Sequence, residues 1–218
     1  MKLKRLHPWD LKPIQARRLQ EELSRKIKLT KLKEKIHLIA GADVNFKDNL
    51  AIGVVVILSY PELGLLEWVR KTKRISYPYI PGLLSFREGP VLEACLQDLK
   101  RQPDIFIFDG QGIAHPRNMG IATHMGILLG KPTMGCAKSW LWGRYKQPGP
   151  KRGSFAYLFN EENKKIGIVL RTKDFVKPLF VSPGYKVGFK DCIRIILRCT
   201  LKYRLPEPLR LAHQLGVI

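Results

Sequence analysis

Acidic residues are scarce in this chain: eighteen Asp and Glu stand against thirty-nine Lys and Arg, a net charge of +21 over 218 residues. That excess goes beyond what keeps a protein soluble. It points to a polyanionic partner, nucleic acid ahead of a membrane surface. Cysteine is scarce too. Cys95, Cys136, Cys192 and Cys199 form no C-x-x-C pair, which leaves zinc and dithiol redox motifs unsupported and fits reduced thiols in a cytoplasmic protein. Long apolar runs are missing. None approaches the ~18 residues of a membrane span, and no apolar stretch of about 7–15 residues follows the charged N-terminus as in a signal peptide. With no repeat, low-complexity tract or dividing linker, the expectation is a single domain over 1–218, with a basic helical segment, 1–36, packed on it or flanking it.

What is present is a globular composition, 45% hydrophobic and 26% charged, with its basic residues clustered. Residues 1–35 hold twelve Lys or Arg and four acids. Residues 138–152 hold Lys138, Arg144, Lys146, Lys151 and Arg152 with no acid, and residues 186–204 hold six basic residues against Asp191. Leu19, Leu23 and Ile27 recur at i+4 and predict a basic amphipathic helix over 11–28. Strands are expected at 36–46, 51–60 and 65–73, joined by short turns as an antiparallel meander. The pattern then alternates: a helix over 87–101, a strand in "DIFIFDG", a helix over 118–130 stopped by Gly130 and Pro132, and a strand over 132–138. Two further strands are expected at 154–159 and 165–171 and a last helix over 188–199. The fold class is therefore α/β, a mixed sheet with an antiparallel meander followed by parallel β-α units.

Three carboxylates stand out. Asp109 follows the apolar run Ile105–Phe108, at the strand end where open α/β sheets bind ligands, and Gly110 and Gly112 leave the backbone there open to a close approach. Capping of the following turn explains Asp109 as well as ligand binding does. Asp43 interrupts "LIAGADVNF", a strand that needs no turn, and shares a face with Gly41 and Asn45. Glu88 in "SFREGP" fits an S-x-x-E capping box begun by Ser85, and local pattern favours that reading over a ligand. Such acids in so basic a chain suit hard divalent cations, Mg²⁺ or Mn²⁺, and a metal-dependent nuclease acting on a phosphodiester. The meander followed by β-α units also looks like a ribonuclease H-like fold.

The stretches "AGADVNF", "YPYIPGLLSFRE", "DGQGIAHPRNMGIATHMGILL", "GCAKSWLWG" and "YRLPEPLRLAH", over about residues 38–213, resemble the endonuclease V family of deoxyinosine-directed repair nucleases. The resemblance implies a ribonuclease H-like fold. It implies Mg²⁺-dependent hydrolysis, with Mn²⁺ as a substitute, of the second phosphodiester bond 3′ to a deaminated purine, leaving 3′-hydroxyl and 5′-phosphate ends. By position, Asp43, Glu88 and Asp109 match the family's metal-binding acids, which moves Glu88 from cap to ligand. Lys138 matches its active-site lysine, and His213 a position beside the metal. "PYIP" matches its wedge: Pro78 and Pro81 stiffen a tip that carries Tyr79 and Ile80. Gly82, Leu84, His115, Gly120 and Ile121 match the surroundings of its base pocket. Gln111 stands where many members have His, and Ser139 follows Lys138 where some members have a second Lys. The expected partner is DNA containing inosine, with inosine-containing RNA or binding without cleavage as the alternatives. No membrane association and a monomer are expected.

Overall fold

The structure is a computed structural model that describes residues 1, 3–32 and 35–217. Lys2, Lys33 and Glu34, within the basic N-terminal segment, and Ile218 lie outside the described residues. Helix α1 spans Pro13–Ser24. The strands are β1 Leu38–Lys47, β2 Leu50–Ser59, β3 Leu65–Arg74, β4 Ile105–Phe108, β5 Thr133–Ala137, β6 Phe155–Phe159, β7 Lys165–Leu170 and β8 Leu179–Tyr185. The remaining helices are α2 Leu84–Asp98, α3 Ile121–Leu129, α4 Phe189–Cys199 and α5 Glu207–Gly216. The strands form one eight-stranded sheet in the order β3-β2-β1-β4-β5-β8-β7-β6.

The first half of that order matches the expected meander and β-α units: β1, β2 and β3 pair antiparallel, and β1, β4 and β5 run parallel. The second half is antiparallel, with β8 lying between β5 and β7. Helices α2 and α3 cover one face of the sheet, against Ala40, Ala42, Phe106 and Phe108. Helices α4 and α5 cover the other, against Ile39, Ile105, Ile107 and Cys136. Both faces of β4 are therefore dry, which is why its four residues are continuously apolar and fully buried.

Two elements differ from the sequence expectation by their presence. Strand β8 carries Pro183, a residue that argues against an interior strand. It is accommodated because the pairing with β5 shifts register between Thr133 and Met134, at the position that faces Pro183. Helix α5 opens with Pro206 as its N-cap and Pro208 in its first turn. Prolines that look like helix breakers are tolerated there, because first-turn N–H groups have no intrahelical acceptor. Helix α2 begins at Leu84, three residues earlier than expected. Ser85 is thus inside the first turn, and Leu83 is the N-cap. The S-x-x-E capping box does not form. No described helix is long and apolar enough to cross a membrane.

Helix α1 is shorter than expected and docks through its apolar stripe. Ala16 packs with Tyr77, Leu83 and Phe86, and Leu23 with Met119, Ile127 and Tyr185. Gln20, polar and fully buried on the same stripe, donates to the carbonyls of Gly82 (3.0 Å) and Met119 (3.3 Å).

Candidate functional site

Asp43 sits on β1 facing α5, and α5 explains why its neighbours are small. A Cβ on Gly41 would lie 2.2 Å from the Pro208 carbonyl oxygen, and Asn45 packs against Gly216. The helix lies so close that only small residues fit beneath it. His213 on α5 is thereby brought to Asp43, its Nδ1 donating to Oδ2 at 2.9 Å. Asn45 Nδ2 is 3.4 Å from the same oxygen.

Asp109 continues the parallel ladder past β4, its backbone N–H donating to the Ala42 carbonyl at 2.9 Å. Its carboxylate therefore emerges beside that of Asp43 at the carboxyl end of the sheet. Of the two glycines after it, Gly110 lies on the cavity wall described below, whereas Gly112 is taken up by packing within the fold. Gly112 packs against β8, where a Cβ would come within 2.1 Å of the Pro183 carbonyl oxygen. Gly110 has φ +141° and abuts Ile121. Lys138, at the end of β5, places Nζ 2.7 Å from Asp109 Oδ2. Its own carbonyl is held by Arg204 Nη2 at 3.1 Å.

Glu88 enters from α2 and is buried. Among the described residues no hydrogen-bond donor or ion-pair partner reaches its carboxylate. Desolvation, then the charges of Asp43 and Asp109, hold its pKa well above the usual carboxylate range. Asp109 is also raised, by burial and then by Asp43, with Lys138 opposing. Burial works against the Lys138 ammonium, yet the Asp109 hydrogen bond and charge more than offset this and keep its pKa high. Burying like charges together costs several kcal/mol unless a cation compensates them. Three carboxylates supplying hard oxygen donors, one of them unpartnered, have the chemistry that suits a divalent cation. As they stand, among the described residues no three acidic, His or Cys side chains form a group that could hold a metal ion. Asp43 is turned to His213 and Asp109 to Lys138 instead.

These groups line a cavity of about 640 Å³. Of the residues singled out from sequence, Asp43, Glu88, Asp109, Lys138, His213, Tyr79, Ile80, Gly82, Leu84, His115, Gly120 and Ile121 lie on its wall, and Pro78 does not. Tyr79 stands on the rim, 70% exposed. The loop behind it is anchored at one atom. The Gly82 carbonyl accepts from Gln20 Nε2 (3.0 Å), His115 Nε2 (3.0 Å) and Arg117 Nη2 (2.9 Å). Gly82 has φ +78°, and a Cβ there would meet Arg117 at 2.7 Å. Burial and the adjacent Arg117 push His115 down to about 4, so its ring is neutral; Nε2–H donates and Nδ1 accepts from the Arg117 backbone N–H at 3.1 Å.

Sequence reasoning missed Phe46, Ser85, Met119, Trp140 and Leu141 on the same wall. Trp140 and Leu141 are 52% and 43% exposed, and large apolar residues in so basic a loop were the available signal. The two departures from the family pattern meet each other: Gln111 Nε2 donates to the Ser139 carbonyl at 3.2 Å.

The family model for endonuclease V matches residues 21–214. The chain is 48% identical over 196 residues to endonuclease V of Dictyoglomus thermophilum, covering 90% of this chain and 86% of that protein. It is 43% identical over 217 residues to that of Methanothrix thermoacetophila, covering 100% and 96%. Its structure superposes on Bacillus subtilis endonuclease V with a TM-score of 0.94 at 31% identity, covering 99% of this chain and 95% of that one. Against Ciona intestinalis endonuclease V, in complex with a 24mer DNA containing an inosine followed by a ribo-adenosine, the TM-score is 0.81 at 28% identity, covering 93% and 95%. The fold is ribonuclease H-like and the protein is an endonuclease: the chain belongs to the endonuclease V family.

Proposed function

We propose that the whole chain acts as one divalent-cation-dependent repair endonuclease domain. It recognises inosine in DNA and hydrolyses the second phosphodiester bond 3′ to it, leaving 3′-hydroxyl and 5′-phosphate ends. The observation that carries this reading is the set of three mutually repelling carboxylates at the carboxyl end of the sheet, with an ammonium beside them and an exposed tyrosine on the cavity rim.

Asp43, Glu88 and Asp109 would hold the cation. Bound there, it supplies charge neutralisation and polarisation of the scissile phosphate. The rest falls to the chain's own side chains. Lys138 places a fixed ammonium where negative charge builds on the phosphate. His213 holds the Asp43 carboxylate in one orientation through its Nδ1–H. The Lys and Arg excess attracts the polyanion without regard to sequence. Tyr79 and Ile80, on a loop fixed at Gly82, fill the gap left when a base is displaced, a step that costs a few kcal/mol in an intact stack and less at a damaged pair. Neutral His115 lines the recess on the inner side of that loop.

The test is incubation of an inosine-containing duplex with Mg²⁺ and, separately, with chelator. Wild type is expected to nick only with the cation, and Asp43→Ala not at all. Equal nicking by the two proteins, or none by either, sinks the reading. A second reading, cleavage mainly of inosine-containing RNA, is favoured by the ribo-adenosine in the Ciona ligand. Competition between DNA and RNA of matched sequence decides between them.

A further inference from the structure

The extreme N-terminus takes no part in the reaction proposed above, yet a chain of hydrogen bonds leads from it into the cavity. The Met1 ammonium donates to the Leu96 carbonyl (2.8 Å) and the Gln97 carbonyl (3.0 Å) near the end of α2. The Lys4 N–H donates to the Leu128 carbonyl of α3 at 2.9 Å, and Leu3 is buried between the two helices. Trp9 fills the space over Gly89, where a Cβ would come within 2.3 Å of the ring, and its indole donates to Glu93 at 2.7 Å. Strapped across both helices in this way, the segment lays His7 on the fully buried His124, with their Nε2 atoms 2.7 Å apart. The other ring nitrogen of His124 lies 3.0 Å from Ser85 Oγ. Ser85 is on the cavity wall, three residues before Glu88.

The direction of every bond in this chain follows from its outer end. The Pro8 carbonyl can only accept, so the His7 Nδ1 that meets it at 2.8 Å carries the hydrogen. A neutral His7 then has a bare Nε2, and His124 Nε2 donates to it. His124 Nδ1 is bare in turn, and takes the hydroxyl hydrogen of Ser85. Both rings stay neutral because burial disfavours their charge: His7 is lowered, and His124 is pushed down to about 3 by desolvation and by the neighbouring His7 and His115. The one hydrogen of Ser85 is thus committed away from the cavity, leaving lone pairs on its oxygen. Gln111, on the same wall, shows the same chemistry independently. Its Nε2 must face the Ser139 carbonyl, so its Oε1 is fixed, and that oxygen is buried with no hydrogen-bond partner among the described residues.

We propose that Ser85 is a specificity-determining contact, a fixed acceptor for the ring N–H of the substrate base, and that His124 and His7 are positioning residues that keep it an acceptor. The inference rests on the inosine reading above and adds the group that reads the base. Adenine has a bare N1. Deamination replaces the 6-amino group with a carbonyl and puts a hydrogen on N1. A hydroxyl that cannot donate leaves a bare N1 unpaired and pairs with a protonated one, so it favours the deaminated base.

The experiment compares two single-stranded oligonucleotides that differ at one base, hypoxanthine or unsubstituted purine, which lacks the N1 hydrogen. Binding is read by fluorescence polarisation in chelator. Ser85→Ala is expected to weaken the hypoxanthine oligonucleotide about 5- to 10-fold and the purine one by less than about 2-fold, with Ser85→Thr restoring the difference. His7→Ala, at the outer end of the chain, is expected to act in the same direction by about 2- to 3-fold, and it carries the test if Ser85→Ala does not fold. Equal losses on both oligonucleotides, as a purely structural serine would give, overturn the proposal, and so does no loss. Wild type that binds both equally yet nicks inosine overturns it and leaves the proposed reaction standing. Wild type that nicks nothing sinks the reaction itself.

Discussion

Around Asp109, three carboxylates line one cavity with an ammonium bonded to Asp109 and an imidazole bonded to Asp43, and among the described residues Glu88 is left with no donor at all. Around Gly82, some residues away on the same cavity wall, a single carbonyl oxygen takes three donors, and the Gln20 oxygen behind it takes a fourth from Arg117 Nε at 2.7 Å. The first region is under-compensated. Its groups are held by β1, β4 and α2, which are fixed by burial elsewhere, so they cannot move apart to relieve their repulsion. The second is over-determined, with more restraints than a surface loop needs. An under-compensated cluster changes its energy sharply when a charge arrives, while an over-determined junction keeps its shape whether or not a ligand is present. One region is built to respond and the other to stay still.

Removing the Lys138 ammonium breaks the charge balance of the responsive region. Lys138→Ala is expected to lower kcat on inosine DNA by about 10²- to 10³-fold, with substrate affinity changed far less. A fall in affinity with kcat unchanged would place Lys138 in binding alone.

Glu88→Gln separates function from stability within the same region. It is expected to abolish cleavage and yet to raise the melting temperature of the protein in chelator at pH 7.5, by about 2–4 °C, the shift that about 1 kcal/mol produces in a chain of this size. The sign follows from the raised pKa. Folded Glu88 holds its proton more tightly than the unfolded chain does, so stability falls as pH rises above the ordinary carboxylate range, and Gln does not suffer that loss. The advantage of Gln should disappear as pH is lowered to that range. A variant less stable than wild type at pH 7.5 would mean that Glu88 has a compensating partner.

The over-determined region should yield less to any one change. Arg117→Ala removes donors to Gly82 and Gln20 but leaves two on the Gly82 carbonyl. A loss of about 1–3 kcal/mol in stability is expected from the Gln20 oxygen left bare, read by denaturant titration, with kcat within a few-fold of wild type. A collapse of kcat would show that the junction transmits to the carboxylates and is no passive anchor.

How much of this was legible in the sequence divides along the same line. Asp43 and Asp109 stand out because a carboxylate inside or at the mouth of a buried strand violates local preference, and local preference is what a sequence displays. The Gly82 junction does not show, because Gln20 lies 62 residues from the carbonyl it serves, and nothing in "RRLQEELS" distinguishes a buried Gln from a surface one. Glu88 was misleading locally: Ser85 and Glu88 have capping-box spacing, but the helix starts a turn too early for it, and Ser85 is drawn away by His124. Strand β8 and helix α5 were hidden by their prolines, whose tolerance depends on a bulge in one case and a helix start in the other. Losing α5 also hid the reason for Gly41 and Asn45, since the small face of β1 makes sense only once a helix is laid on it.

The smallest effect expected is at the tip that the rigid junction supports. Tyr79 is 70% exposed, so its removal leaves almost no cavity and should not change the melting temperature by more than about 1 °C. Nor does it touch the carboxylates, so the dependence of cleavage on Mg²⁺ concentration should stay where it is in wild type. What should change is the ratio of inosine to undamaged DNA bound, because an aromatic ring filling the gap of a displaced base contributes about 1–3 kcal/mol of stacking only when a base has left it. Tyr79→Ala should therefore lower that ratio by about 10-fold, and Tyr79→Phe, which keeps the ring, should preserve it. If Phe fails as badly as Ala, the hydroxyl and not the ring is what the junction at Gly82 holds in place.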